Sequence, residues 1–162
     1  MLRVRTALSA LTVALTAAII ACGSDSPTQV PPAQDIETVT FASSLNINLS
    51  TFTKTSYGLY YKDVIVGTGA TVAKGDSLFV HYFGYFPTGV LFDSNPLTAE
   101  PFRFKVGAGA VIAGWDSAAV GMKIGGRRDI IVPPSLGYGS SGYGSIPANS
   151  ILVFQMTAVS KK

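Results

Sequence analysis

Only one stretch of this 162-residue chain has the pattern of a buried helix, and it is short. Trp115, Ala118, Ala119 and Met122 recur at i, i+3, i+4 and i+7, which predicts a helix over residues 114–122 with a single apolar face. Asp116 stands in the first turn, where the helix dipole favours an anion, and Gly121 is placed for a left-handed stop. Everything around this helix reads as strand. Residues 57–66 are closed by Gly67-Thr68-Gly69, and residues 77–86 follow the turn Lys74-Gly75-Asp76. Pro87-Thr88-Gly89 turns the chain into Val90-Leu91-Phe92, and residues 102–106 alternate strictly. Residues 127–132 end at Pro133-Pro134, with Ile130 and Val132 on one face, and residues 150–159 follow a long Gly/Ser loop over 136–149. Leu45, Ile47 and Leu49 alternate with polar residues, which predicts a short strand or an extended arm. Many strands with one short helix define an α+β domain in which an antiparallel sheet wraps on the helix.

The N-terminus has a different character. A basic head over residues 1–5 precedes an uncharged, mostly Ala/Leu/Val/Ile run over residues 6–21, shorter than the roughly 20 residues a spanning helix needs. Ile19-Ile20-Ala21-Cys22 resembles a bacterial lipoprotein cleavage box, which implies removal of residues 1–21 and lipidation of Cys22. Cys22 is the sole cysteine, so no intramolecular disulfide is possible. Residues 23–34 are rich in Ser and Pro and read as a tether. The expected organisation is a signal peptide over 1–21, a lipidated cysteine with a flexible tether and arm over 22–54, and a folded domain over 55–162. The expected location is outside the cytoplasm, anchored by lipid on the periplasmic or outer face of a membrane. Loss of Arg3 and Arg5 with the signal lowers the formal charge from +3 to +1. The remaining cations are scattered, so the stripe that nucleic-acid binding needs is absent and no nucleic-acid partner is expected.

Aromatic residues flank the turns: Tyr82, Phe92, Phe102, Trp115, Tyr138 and Phe154. Each alone is ordinary core material, but they come from different elements and several lie at element ends, where side chains can surround a cavity. Asp93 follows Phe92 directly, and a carboxylate there needs partners such as the Tyr82 phenol. Other signals carry less. Gly137-x-Gly139-x-x-Gly142 has dinucleotide-fingerprint spacing but follows Pro-Pro and opens no helix. His81 is the only histidine and, between Val80 and Tyr82, is expected to face away from the cavity, exposed or locally bonded. With no Cys/His pair, no zinc site and no other metal or cofactor is expected. Arg127-Arg128 reads as a solvated strand start.

The runs VHYFGYFPTGVLFDSN, PFRFKVG, VIAGW, LGYG and IPANSILVFQM, in this order and spacing over residues 57–160, resemble the FKBP-type peptidyl-prolyl isomerases. The resemblance implies a five- to six-stranded antiparallel sheet half-wrapped around one short helix. It implies acceleration of Xaa–Pro rotation in proline-containing polypeptides, here exported ones, by a monomer that can also take the family's macrolide inhibitors. Carried over by position, Trp115 is the floor of a proline slot. Tyr82, Phe92, Phe102, Val111, Ile112 and Phe154 are its walls, and Ile146 reaches in from the flap. Asp93 sits at the rim, tied to Tyr82. The Ile112 N–H and the Tyr138 hydroxyl hold peptide carbonyls. Tyr143 falls near the family's flap tip, and Ala148 stands where a second proline is common. A non-catalytic proline-peptide binder or chaperone of the same fold is the alternative; family members without activity usually lack the aspartate or several pocket aromatics, which are present here.

Overall fold

The computed structural model describes residues 30–162. The signal segment, Cys22 and most of the tether lie outside the described residues. Seven strands form one sheet: β1 (Thr53–Lys54), β2 (Tyr60–Ile65), β3 (Ser77–Tyr85), β4 (Leu91–Asn95), β5 (Phe102–Lys105), β6 (Arg127–Val132) and β7 (Leu152–Lys161). All pairings are antiparallel, in the order β1-β2-β6-β7-β3-β4. β5 shares the edge of β3 with β4, pairing its first half, Ser77 to Val80, while β4 pairs from Tyr82 onward. The expected α+β architecture is present; the count exceeds five or six because the arm adds β1 ahead of Thr55.

One helix, α1 (Ala113–Ala119), crosses the inner face of the sheet. Its apolar stripe is the expected one: Trp115, Ala118 and Ala119 are buried, and so is Met122 just beyond the helix. Val120 ends it by turning extended, and Gly121, at φ +82, then leads the chain away with its N–H on the Val72 carbonyl instead of on a helix carbonyl. Gly114 has no room for a side chain, because a Cβ would stand 2.6 Å from Val132 Cγ1. The helix can therefore lie directly on β6. Ile130, Val132, Leu152, Phe154, Met156 and Ala158 complete this inner core with Leu78, Val80 and Phe104. Each fully buried aliphatic side chain here contributes about 1.5–3 kcal/mol.

The outer face is covered as well. Ile36 and Leu45 are buried against Tyr60, Ile131, Ile151 and Val153, with Val39, Phe41, Ile47, Leu49 and Phe52 packed around them. The arm is thus folded onto the sheet from Ile36 onward rather than free. It is not a strand at Leu45, Ile47 and Leu49, as alternation predicts, but two 3-10 turns, Ser43–Leu45 and Leu49–Thr51. Asn46 at φ +50 breaks the extended backbone, and the Asn48 side chain accepts the Ser50 N–H to start the second turn. The alternation still has a consequence, since all three aliphatics reach the same outer core.

One polar expectation is corrected and one is decided between its two alternatives. Arg128 is not solvated but 5% exposed. Its Nε and Nη2 donate to Asp63 Oδ1 and Oδ2 at 2.7 and 2.9 Å. Its Nη1 donates to the Ala118 carbonyl at 2.7 Å. Strand parity sets Arg128 on the face of Ile130 and Val132, so its guanidinium meets the carbonyls that the helix end leaves unpaired. His81 is buried, not exposed, and its local bond runs from Nδ1 to Asn95 Oδ1 at 2.9 Å, where β5 gives way to β4 along β3.

Candidate active site

Alternation along β4 should send the neighbours Phe92 and Asp93 to opposite faces of the sheet. Instead both line one cavity. The register explains it: Gly84 pairs with Asp93 while the next residue, Tyr85, pairs with Leu91, so Phe92 is the extra residue of a β-bulge. Gly84 makes the bulge possible. A Cβ there would stand 2.8 Å from Phe92 Cζ and 3.0 Å from Phe154 Cε1. The missing side chain is the space into which the Phe92 ring folds, at 5.6 Å and 85° from Phe154.

The cavity has a volume of about 240 Å³ and is lined by Tyr82, Phe92, Asp93, Phe102, Ala110, Val111, Ile112, Trp115, Tyr138 and Phe154. Trp115 is 4% exposed and is met edge-on by Tyr82 at 4.8 Å, Phe154 at 5.3 Å and Phe102 at 6.1 Å. Aromatic pairs at these separations and near-perpendicular angles are T-shaped, an arrangement their quadrupoles favour. Phe102 is 40% exposed and stands at the mouth.

Polar groups are few: the Tyr82–Asp93 pair and the Tyr138 hydroxyl at the rim, and the indole N–H of Trp115, which is buried without a partner among the described residues. The Tyr82 hydroxyl donates to Asp93 Oδ2 at 2.7 Å. Burial, then the hydrogen bond to Asp93, pushes the Tyr82 phenol far above the ordinary tyrosine range. Burial also raises Tyr138, with the negative field of Asp93 adding to it. Both hydroxyls therefore stay protonated and able to donate at neutral and moderately alkaline pH. Among the described residues the Tyr138 hydroxyl and the Ile112 N–H donate to no protein acceptor. The cavity thus offers an apolar slot with two uncommitted donors at its edge, besides the unpartnered indole N–H of its floor residue.

Of the residues expected at the site, the structure brings Tyr82, Asp93, Tyr138, Phe92, Phe102, Val111, Ile112, Trp115 and Phe154 around one cavity. Ile146 is the exception. It is 8% exposed and belongs to the helix-side core, not the lining. Tyr143 and Ile146 exchange two backbone hydrogen bonds, 2.9 and 2.8 Å, and this tight flap turn delivers Ile146 to the core beneath. Tyr143 remains outside, stacked on Tyr138 at 5.2 Å and 13°. Two contributors escape sequence reasoning. Ala110 lines the mouth without any chemistry that would single it out. Asp116 does more than face the helix dipole: its two oxygens accept the Gly107 and Gly109 N–H groups at 2.8 Å each, which fixes the loop that carries Val111 and Ile112. An aspartate in a first helical turn shortly after Gly-x-Gly was the available signal.

Comparison with known proteins leads to the same place. Residues 69–159 match the family profile described as FKBP-type peptidyl-prolyl cis-trans isomerase. The chain is 45% identical over 107 residues to FK506-binding protein 4 of Gibberella zeae, covering 66% of this chain and 21% of that protein. It is 48% identical over 87 residues to FK506-binding protein 2 of Dictyostelium discoideum, covering 53% of this chain and 65% of that one. The chain spans about a fifth to a quarter of the length of the first curated relatives it matches. Among solved structures it is similar to FkpA from Escherichia coli, with a TM-score of 0.64 at 34% identity over 69% of this chain and 52% of that one. AtFKBP13 gives the same TM-score of 0.64 and 34% identity, over 68% of this chain and 98% of that one. The bulged strand, the tryptophan floor and the matched sequence span have one common explanation: this chain belongs to the FKBP-type peptidyl-prolyl cis-trans isomerase family.

Proposed function

We propose that this chain is a membrane-anchored peptidyl-prolyl cis-trans isomerase that acts on exported polypeptides. The observation that carries the reading is the aromatic cavity over Trp115, with few polar groups around it. Rotation about an Xaa–Pro bond crosses a barrier of about 18–20 kcal/mol because it breaks amide resonance. The planar amide has a charge-separated form that water stabilises; the twisted one loses it. A proline ring seated on the Trp115 indole, between Phe92, Phe102, Val111 and Phe154, takes its amide out of water and raises the planar form relative to the twisted one. The Ile112 N–H and the Tyr138 hydroxyl hold the flanking carbonyls in the twisted geometry. Asp93 orients Tyr82 and polarises the rotating imide; no proton changes hands. An acceleration of a thousand- to a millionfold asks for about 4–8 kcal/mol from these effects together.

The relatives' names as FK506-binding proteins support a second occupant of the same cavity, a macrolide competing with proline. The location rests on sequence: the lipoprotein-like box ending at Cys22 and the Ser/Pro tether that follows.

The test is cis-to-trans relaxation of an Xaa–Pro tetrapeptide by the unaltered chain and by Asp93→Leu and Tyr82→Phe. The expected result is acceleration by the parent and a loss of at least about tenfold in each variant, since each removes a hydrogen bond to a charged group. No acceleration by the parent, with peptide binding retained, would leave a binding module instead of an enzyme. Equal acceleration in all three would show that the rim pair has no part in the reaction. Cys22→Ser should move the protein from the membrane fraction to the soluble one, and retention on membranes would sink the anchor.

A further inference from the structure

Gln34 holds the chain on both sides of Ser150. Its backbone N–H donates to the Asn149 carbonyl at 3.5 Å, and its side-chain Oε1 accepts the Ile151 N–H at 3.1 Å. Asn149 is held a third way, because its side-chain amide donates to the Pro31 carbonyl. Asn149 is also one of two residues other than glycine with positive φ among those described, at +58. It is the closing residue of the flap: its own N–H donates to the Gly139 carbonyl at 2.7 Å. Gly139 directly follows Tyr138, whose ring lines the cavity. A continuous run of hydrogen bonds therefore leads from Pro31 and Gln34, through Asn149 and Gly139, to the residue carrying a rim donor.

Other restraints on this loop are few. Inside the flap the Gly142 N–H donates to the Tyr138 carbonyl and Tyr143 pairs with Ile146; at the near end the Gly139 N–H donates to the Pro134 carbonyl at 3.0 Å, and Ile146 is the one buried side chain between Gly139 and Asn149. The glycines at 139, 142 and 144 all have positive φ, so the segment has little intrinsic stiffness. With the near end held to Pro134, the remaining freedom of the segment that carries Tyr138 and Tyr143 depends on how firmly its far end is held at Asn149.

We propose that Gln34, acting with Asn149, is a positioning residue for the site: the arm clips the flap hinge and so sets the Tyr138 donor over the cavity. The kinetic side of this proposal rests on the isomerase reading; the structural side does not. The clip makes the segment ahead of the domain part of the site's machinery, although it touches no substrate.

The experiment uses the full chain with Gln34→Ala, which removes the side-chain acceptor, and Gln34→Glu, which keeps one. Asn149→Gly retains the backbone conformation and removes only the amide that meets Pro31. Amide exchange is followed at Asn149, Tyr143 and Ile146, with β6 and β7 as internal controls, and kcat and KM are measured separately on an Xaa–Pro peptide. Gln34→Ala should speed flap exchange about three- to tenfold, the factor that one ordinary net hydrogen bond converts to, with exchange in β6 and β7 unchanged. kcat/KM should fall by a similar factor, with KM rising more than kcat falls, because the Tyr138 hydroxyl is a binding donor. Gln34→Glu should restore both, and Asn149→Gly should show a smaller change of the same kind. Flap exchange unchanged in Gln34→Ala, or equally fast in Gln34→Glu, would overturn the clip. Faster exchange with unaltered kcat/KM in an active parent would overturn its positioning role. Should the parent show no isomerase activity, the proposed enzyme falls, while flap exchange still decides the clip.

Discussion

The two faces of the sheet are built from the same strands and finished differently. β6 gives Ile130 and Val132 to the helix side and Ile131 to the arm side, and all three are wholly buried. β7 gives Leu152, Phe154, Met156 and Ala158 to one side and Val153 to the other. On the helix side a seven-residue helix is too short to cover the sheet, and large rings stand around what it leaves open. On the arm side aliphatic side chains with Phe41 and Phe52, from a segment of short turns, settle into the surface, with no long element imposing a spacing. A rigid short cover leaves a cavity; a conforming cover closes the face. The helix side is therefore left open where the arm side is covered, and the candidate site lies on the open side.

The strongest way to break this contrast is to remove the floor. Trp115→Ala should cost about 3–5 kcal/mol of stability, as other buried Trp truncations do. It should also abolish measurable isomerase activity, because the surface on which a proline ring would rest is gone. Urea unfolding and the tetrapeptide assay read the two effects. If the alanine variant does not fold, Trp115→Leu keeps apolar volume, and its loss of activity should exceed tenfold while most of the stability remains. Full activity in a folded Trp115→Leu would mean that the aromatic floor has no catalytic meaning.

The matching change on the arm side is Leu45→Ala. Leu45 is 8% exposed in the outer core, so its truncation should cost about 2 kcal/mol, the low end for a leucine whose surroundings can collapse. It leaves Gln34 and the cavity untouched, and kcat/KM should stay within about twofold of the parent. A loss of activity as deep as that of the Trp115 variants would show that the two faces are not separable.

Legibility in the sequence follows the same division. The helix side could be read in advance because its signals are periodic and its residues chemically distinctive: one tryptophan at the start of one apolar stripe, and an Asp after a Phe. The arm side was harder. Leu45, Ile47 and Leu49 alternate, yet Asn46 and Asn48 divert the backbone into turns, and nothing local says which surface those side chains will meet. A signal did exist elsewhere. Ile130-Ile131-Val132 and Ile151-Leu152-Val153-Phe154 are continuous apolar runs, which is how strands buried on both faces read. They require a second cover and so assign the arm its task. The bulge at Phe92 was hidden for a different reason. A two-against-one register is a property of a pair of strands, and only Gly84, opposite the bulge, hinted at it. Arg128 was misread because charge suggests solvent until strand parity and the open carbonyls of a helix end are considered together. Ile146 went the other way, since a position matched to a flap does not say whether a hydrocarbon side chain faces the slot or the core.

The smallest expected effect concerns how the arm side is fastened. Glu37 on the arm accepts a hydrogen bond from the Tyr60 hydroxyl at 2.7 Å and is paired with Lys54 on β1. Lys54 first, and Tyr60 after it, hold the Glu37 carboxyl below its ordinary range. A carboxyl depressed in the folded state contributes stability that is complete above its unfolded pKa, about 4.3, and is lost as the pH falls through the lower folded value. Both side chains of the ion pair are more than half exposed, so the contribution is small and salt-sensitive. Below about pH 4 the arm should accordingly loosen before the helix side does. Exchange of the Val39 amide, bonded to the Asp35 carbonyl at 2.9 Å, reports the arm, and Trp115 fluorescence reports the inner core. Glu37→Gln should speed Val39 exchange slightly at pH 7 and abolish its acid dependence, leaving the Trp115 signal unmoved. If the two reporters change together in the parent, the arm is one cooperative unit with the sheet; if Val39 exchange keeps its acid dependence in Glu37→Gln, the fastening lies in another carboxylate of the arm.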